Sequence, residues 1–167
     1  MSIAERLLHS RNRVGLMSFT PDEISAAIAH VSAVDPIMAD VIKRVGPFRL
    51  KPSRKRFEAL VRSILAQQIS TAVARTMLKR LKDRIAPRRI CPDSLRELTF
   101  DDLRSLGLSR QKSTYLQDLT ARVLDGSVRL DRVHRFDDEA IITELTQVKG
   151  IGRWTVQMFL IFCLGRP

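Results

Sequence analysis

A chain of 167 residues with 44% hydrophobic content can bury the core of one domain, which excludes an unstructured tail. Lysine and arginine outnumber aspartate and glutamate by 29 to 18, and the net charge of +11 favours a polyanionic partner. The longest apolar stretch, Val156 to Leu164, contains Gln157 and is too short to span a bilayer, so no spanning helix is predicted.

The segment from Met1 to Met17 holds several arginines, Glu5 and no continuous apolar run; it reads as a loosely attached arm and not as a secretory signal. Thr20-Pro21-Asp22-Glu23 joins a capping residue, a proline suited to the first helical position and first-turn acids. That start signal predicts a helix with Ile24, Ala27, Ile28 and Val31 on one face. Asp35-Pro36 repeats the signal, Gly46-Pro47 closes the second helix, and Phe48 to Pro52 is a connector or an edge strand. From Ser53, one apolar face carries Phe57, Leu60, Val61, Ile64 and Leu65, while Arg54, Lys55, Arg56 and Arg62 point elsewhere, which marks a core helix. Ser70 caps the next helix, with Val73, Met77, Leu78, Leu81 and Ile85 inward and Arg75, Lys79, Arg80 and Lys82 on its charged face.

Two short helices open at Pro92 and near Thr99, and Gly107 stops the second. Ser109 starts a helix from Arg110 to Asp125, with Tyr115, Leu116, Leu119 and Val123 inward and Gly126 at its end. Ser127 to Phe136 shows no period and reads as loop, and Asp137 opens a helix carrying Ile141, Ile142 and Leu145. No segment alternates with period two, so the fold class is all-α. Residues 1–53 form an arm and first helices, and residues 54–167 a helical core with a helix-hairpin-helix at about 138–164.

Cys91 and Cys163 stand far apart with no metal-ligand spacing, and His9, His30 and His134 form no motif with them, so no metal site is predicted. Cys163, inside an apolar helical run, reads as a buried free thiol, which fits a reducing cytoplasm. Neither a phosphate-cradling nucleotide loop nor a catalytic triad is recognisable.

The most informative stretch is Val148-Lys149-Gly150-Ile151-Gly152, between the helix ending near Gln147 and the one beginning near Arg153. Two glycines one residue apart give the backbone angles closed to other residues and remove side chains that would keep a phosphate from the amide nitrogens. Those N–H groups meet the positive end of the next helix, an anion site flanked by Lys149 and Arg153, while Ile151 turns inward to pin the loop. A Gly-x-Gly pair alone is only a tight turn; in a strongly basic chain it favours binding of a nucleic-acid backbone.

The run Leu145-Thr146-Gln147-Val148-Lys149-Gly150-Ile151-Gly152-Arg153-Trp154-Thr155-Val156 closely resembles the helix-hairpin-helix of the 3-methyladenine DNA glycosylase II family. A second run, Phe57 to Ser70, resembles that family's helix ending in a Gln-Gln-Ile-Ser turn, and the likeness extends from about Asp35 to the end. The resemblance implies a monomeric, monofunctional base excision enzyme that binds double-stranded DNA, flips an alkylated purine such as 3-methyladenine or 7-methylguanine into a pocket, and hydrolyses its glycosidic bond. It implies that Gly150 and Gly152 bind phosphate, with a monovalent cation on the hairpin carbonyls and no other cofactor. Gln67 and Gln68 fall where the family fills the gap left by the flipped base, or are surface glutamines ending a helix. Trp154 stands where strand-cutting relatives carry a lysine, so Schiff-base chemistry is not expected; its indole stacks on a cationic base, or is a core residue.

The family's catalytic aspartate follows the Leu-Gly-Arg-Pro stretch, here Leu164 to Pro167, and is therefore expected beyond Pro167. Asp137, Asp138 and Glu139 read as first-turn acids and not as substitutes. The chain's end reads as a cut, with a degenerate remnant as the alternative, and on either reading residues 1–167 alone are not expected to excise a base. Two rivals are a non-catalytic helix-hairpin-helix module and a helix-turn-helix regulator, the latter lacking a base-reading recognition helix. A nucleoid-associated cytoplasmic protein is the expectation.

Overall fold

The computed structural model describes residues 20–166, in which every regular element is helical; the arm from Met1 to Met17, with His9, lies outside them. In chain order the α-helices are α1 (Pro21–Val34), α2 (Pro36–Val45), α3 (Arg56–Ala66), α4 (Thr71–Ile85), α5 (Pro92–Arg96), α6 (Phe100–Ser105), α7 (Arg110–Leu124), α8 (Asp138–Leu145) and α9 (Arg153–Phe159). α9 runs on without a break into a π-helical turn, Leu160–Leu164.

The starts follow from capping chemistry. Thr20, Asp35, Ser70, Thr99, Ser109 and Asp137 each accept a hydrogen bond from a first-turn N–H with their side-chain oxygen. Asp102 closes a capping box: it accepts from the Thr99 backbone and hydroxyl and is approached by Arg84 at 2.9 Å, which holds its carboxyl at about 2. A depressed folded-state value means stability that is present above the ordinary value of 3.8 and is lost as the pH falls toward about 2. Asp102→Asn should therefore flatten the acid limb of the stability curve in that window, measured by urea unfolding; an unchanged limb would count against the box.

α3 is the central element. Leu60, Val61 and Ile64 are completely buried, and α3 packs on α4, α7 and α9. α5 and α6 pack on α7, whose Leu116 and Leu119 meet the same core, and α8 packs on α9. This arrangement fixes the C-terminal end of α3 beside the α8–α9 hairpin.

In α1, Ile24, Ile28 and Val31 are half-buried and Ala27 is exposed; α1 and α2 pack on each other and neither has a fully buried residue. Two expectations need correction. Val73 is 45% exposed because it sits in the first turn of α4, ahead of the part that meets the core, where Leu81 and Ile85 are buried. The stretch Ser127 to Phe136 is not plain loop: it holds a 3-10 turn at Val133–Arg135 and buries Val128, Leu130 and Val133.

Candidate nucleic-acid interface

Past Leu145 the chain makes two tight hydrogen-bonded turns, Val148 N–H to Leu145 O and Ile151 N–H to Val148 O, and then enters α9 at Gly152. Val148 and Ile151, 1% and 3% exposed, plug the hairpin into the core as the inward turn of Ile151 requires.

The two glycines differ. Gly150 has φ +80°, the left-handed region that favours glycine, and a Cβ there would lie 2.0 Å from Cδ2 of Tyr115. Gly152 is extended, φ −92°, and a Cβ there would meet nothing within 4 Å. The expectation that both glycines need special backbone angles is therefore corrected: only Gly150 does, and the Tyr115 ring of α7 separately excludes a side chain there. What Gly152 provides is open space over an α9 N-terminus that has no side-chain cap.

The basic neighbours are also unequal. The Lys149 backbone N–H donates to Asp118 Oδ2 at 2.8 Å, tying the hairpin to α7, while its side chain is exposed. Arg153 is ion-paired with Glu139 on α8, with Nη1 3.1 Å from Oε2. Asp137 is spent as a cap, and Asp138 pairs with Arg166 at 2.7 Å, so each of the three acids before the hairpin already has a partner.

The two motifs, far apart in sequence, meet in space. Gln67 Nε2 donates to Gly150 O at 2.7 Å across 83 residues. Gln68 instead is exposed and has φ +55°, the one non-glycine positive φ among the described residues. Such a backbone is costly and needs support from its surroundings. The glutamines thus divide: Gln67 braces the hairpin, and Gln68 projects from the turn.

Trp154 is 70% exposed on the first turn of α9, which removes the core reading. Trp154→Ala should accordingly change stability by less than about 0.5 kcal/mol, checked by thermal unfolding.

Beside the Gln67–Gln68 turn lies a cavity of about 360 Å³ bordered by Met77, Gly107, Gln111, Lys112 and Tyr115. Lys112 is a residue the sequence reading missed. It is 7% exposed, its ammonium donates to Leu65 O in the last turn of α3 at 2.7 Å, and burial lowers its pKa from the ordinary 10.5. A cation on the carbonyl end of a helix is electrostatically favoured, and it satisfies an acceptor the helix cannot. The signal was present: Lys112 lies four residues before Leu116 and seven before Leu119, on the same inward stripe.

Of the hairpin carbonyls, Val148 O and Gly150 O each already accept one hydrogen bond. Each keeps a second lone pair, and a neutral carbonyl set of this kind suits a monovalent cation better than a transition metal.

Residues 61–157 match the family described as HhH-GPD superfamily base excision DNA repair protein. The chain is 31% identical over 148 residues to DNA-3-methyladenine glycosylase 1 of Schizosaccharomyces pombe, covering 86% of this chain and 65% of that protein. It is 32% identical over 117 residues to the putative DNA-3-methyladenine glycosylase YfjP of Bacillus subtilis, covering 66% of this chain and 41% of that one. The chain thus spans two thirds or less of these relatives' length. Among solved structures, S. pombe 3-methyladenine DNA glycosylase in complex with abasic DNA superposes with a TM-score of 0.76 at 32% identity, over 84% of this chain and 71% of that one. The DNA-3-methyladenine glycosidase of Bacillus halodurans gives a TM-score of 0.70 at 29% identity, over 81% and 62%.

Proposed function

Because this chain belongs to the HhH-GPD superfamily of base excision DNA repair proteins, we propose that it is the DNA-binding and base-flipping part of a monofunctional glycosylase for alkylated purines. The observation that carries this reading is the hydrogen bond from Gln67 to Gly150, which locks the turn that would occupy the emptied stack to the hairpin that would hold the phosphate. Gly152 and the uncapped first turn of α9 would receive the phosphate, with Lys149 beside it. A monovalent cation shared by the hairpin carbonyls would add positive charge at that point. Gln68 would fill the gap left by the flipped base, and its strained backbone presents the side chain outward.

Methylation at N3 or N7 of a purine leaves a cationic base that is already a good leaving group. The protein's task is then to recognise the cation and to stabilise the oxocarbenium-like sugar as a water attacks. Trp154, exposed at the hairpin, would stack on the cationic ring. The carboxylate such chemistry requires would not come from Asp137, Asp138 or Glu139, each of which already serves as a helix cap or an ion-pair partner. The working form would be a monomer.

The test is release of 3-methyladenine and 7-methylguanine from alkylated duplex by the complete gene product. Release would support the enzyme; duplex binding without release would establish the non-catalytic module instead. Trp154→Ala should weaken binding to duplex carrying a cationic alkylated base by about tenfold and leave unmodified duplex unaffected, and an equal loss on both would remove the stacking role.

A further inference from the structure

The first turn of α3, at the opposite end from Gln67 and Gln68, borders a second cavity of about 770 Å³. Six cations, Arg54, Lys55, Arg56, Lys82, Arg88 and Arg89, line it against two carboxylates, Glu58 and Asp131, an excess of four positive charges. That is a large share of the net +11 of the whole chain. The hairpin by comparison offers Lys149 and an Arg153 already paired with Glu139.

The partners inside this cleft show which charges are spent. Glu58, nearly buried, is held by Lys82 at 2.9 Å and approached by Lys55 at 3.9 Å. Arg88 pairs with Glu97, and Asp131 lies 3.4 Å from Arg132. Arg56 donates to the carbonyls of Leu130 and Asp131 at 2.7 and 3.0 Å, which fixes the guanidinium without neutralising it. Arg54 and Arg89 have no ion-pair partner among the described residues. Four of the six cations are guanidinium groups, whose planar forks match phosphate oxygens. The only aromatic residue in the lining, Phe57, is buried, so the cleft offers no platform on which an unpaired base could stack. Charge without stacking fits the backbone of a duplex and not a single strand. α3 has 11 residues and is about 16 Å long, which separates the cleft at its first turn from the Gln67–Gln68 turn and the hairpin at its other end.

We propose that this cleft is a second phosphate-backbone site, which holds a separate duplex segment while the hairpin engages its own, so that one chain bridges two pieces of DNA. Such bridging would let the protein pass between segments without dissociating fully. The inference concerns binding alone and stands whether or not the protein excises a base.

The experiment uses the complete gene product and two undamaged duplexes, one immobilised and one fluorescent, at low salt. The expected result is capture of the fluorescent duplex by the wild type. Capture should fall at least about tenfold in Arg54→Ala/Arg89→Ala, whose binding to the first duplex stays within about twofold and whose thermal midpoint does not move, because neither side chain is packed or paired. Capture that persists in the double variant, as it would if two copies self-associated, overturns the proposal. So does absence of capture by the wild type. Competition by polyglutamate as effective as competition by duplex at equal charge would assign the cleft to an acidic protein segment and likewise overturn it.

Discussion

Gly150→Ala is expected to destabilise the protein by about 2–5 kcal/mol, while Gly152→Ala leaves stability within about 0.5 kcal/mol and still weakens binding to duplex DNA. At Gly150 two costs add. An alanine held at φ +80° stays in a region that L residues reach at about 1–2 kcal/mol. Its methyl carbon would sit 2.0 Å from Cδ2 and 2.2 Å from Cε2 of Tyr115, so the ring must leave its place or the hairpin must lift. A lift of the hairpin would stretch the hydrogen bond from Gln67 Nε2 to Gly150 O, so that the damage would reach the Gln67–Gln68 turn as well. At Gly152 neither cost arises, because the residue is extended and its surroundings are open. That openness is where a phosphate would approach α9, so an added methyl should reduce affinity for every duplex sequence alike. Urea unfolding together with duplex binding separates the two variants. Equal stability losses, or undiminished DNA binding by the Gly152 variant, would contradict the assignment.

That division also shows how much of the molecule was legible in the sequence. Helix starts were, because a cap is a local event: Ser70, Ser109 and Asp137 each bond to an N–H three residues on, and the residue types alone announce it. The core of α3 was legible for a related reason, since Phe57, Leu60, Val61, Ile64 and Leu65 repeat at the helical period. The hairpin and the Gln-Gln turn were visible as motifs. Their mutual contact was not, because nothing local says that Gln67 reaches Gly150. The same holds for the pairing of Arg153 with Glu139, for the ring of Tyr115 under Gly150, and for the half-buried face of α1, each decided by which helices become neighbours. Lys112 is the instructive miss. Its place on the inward stripe of α7 was readable, but a charged residue on such a stripe is ordinarily assigned to the surface, and only the C-terminal end of α3 lying opposite explains why it is buried.

Lys112→Glu is expected to be the most damaging single charge change in this region, at about 3–5 kcal/mol near neutral pH. The ammonium that donates to Leu65 O at 2.7 Å would be replaced by a carboxylate that can only accept, aimed at a carbonyl and at the negative end of the α3 dipole. Lys112→Met should cost less, about 1–3 kcal/mol, because it leaves the carbonyl without its donor but buries no charge. The pH dependence distinguishes this geometry from general disruption. Burial next to an acceptor raises the folded-state pKa of the introduced carboxyl above its ordinary value of about 4.3. A folded-state pKa above the unfolded one means that the folded form gains protons first, so the deficit of the variant relative to wild type shrinks as the pH falls through the raised value and is complete above it. The protonated carboxyl can then donate to Leu65 O as the ammonium did. The wild type has the opposite character: burial lowers the Lys112 pKa from 10.5, so this group adds stability as the pH rises from that lowered value toward 10.5, a slope that Lys112→Met should abolish. The measurement is the wild-type-minus-variant difference in unfolding free energy at about pH 5 and at about pH 8. A difference that does not change between them would mean that the Lys112 ammonium does not cap α3, and that the Gln67–Gln68 turn is held by Gln67 alone.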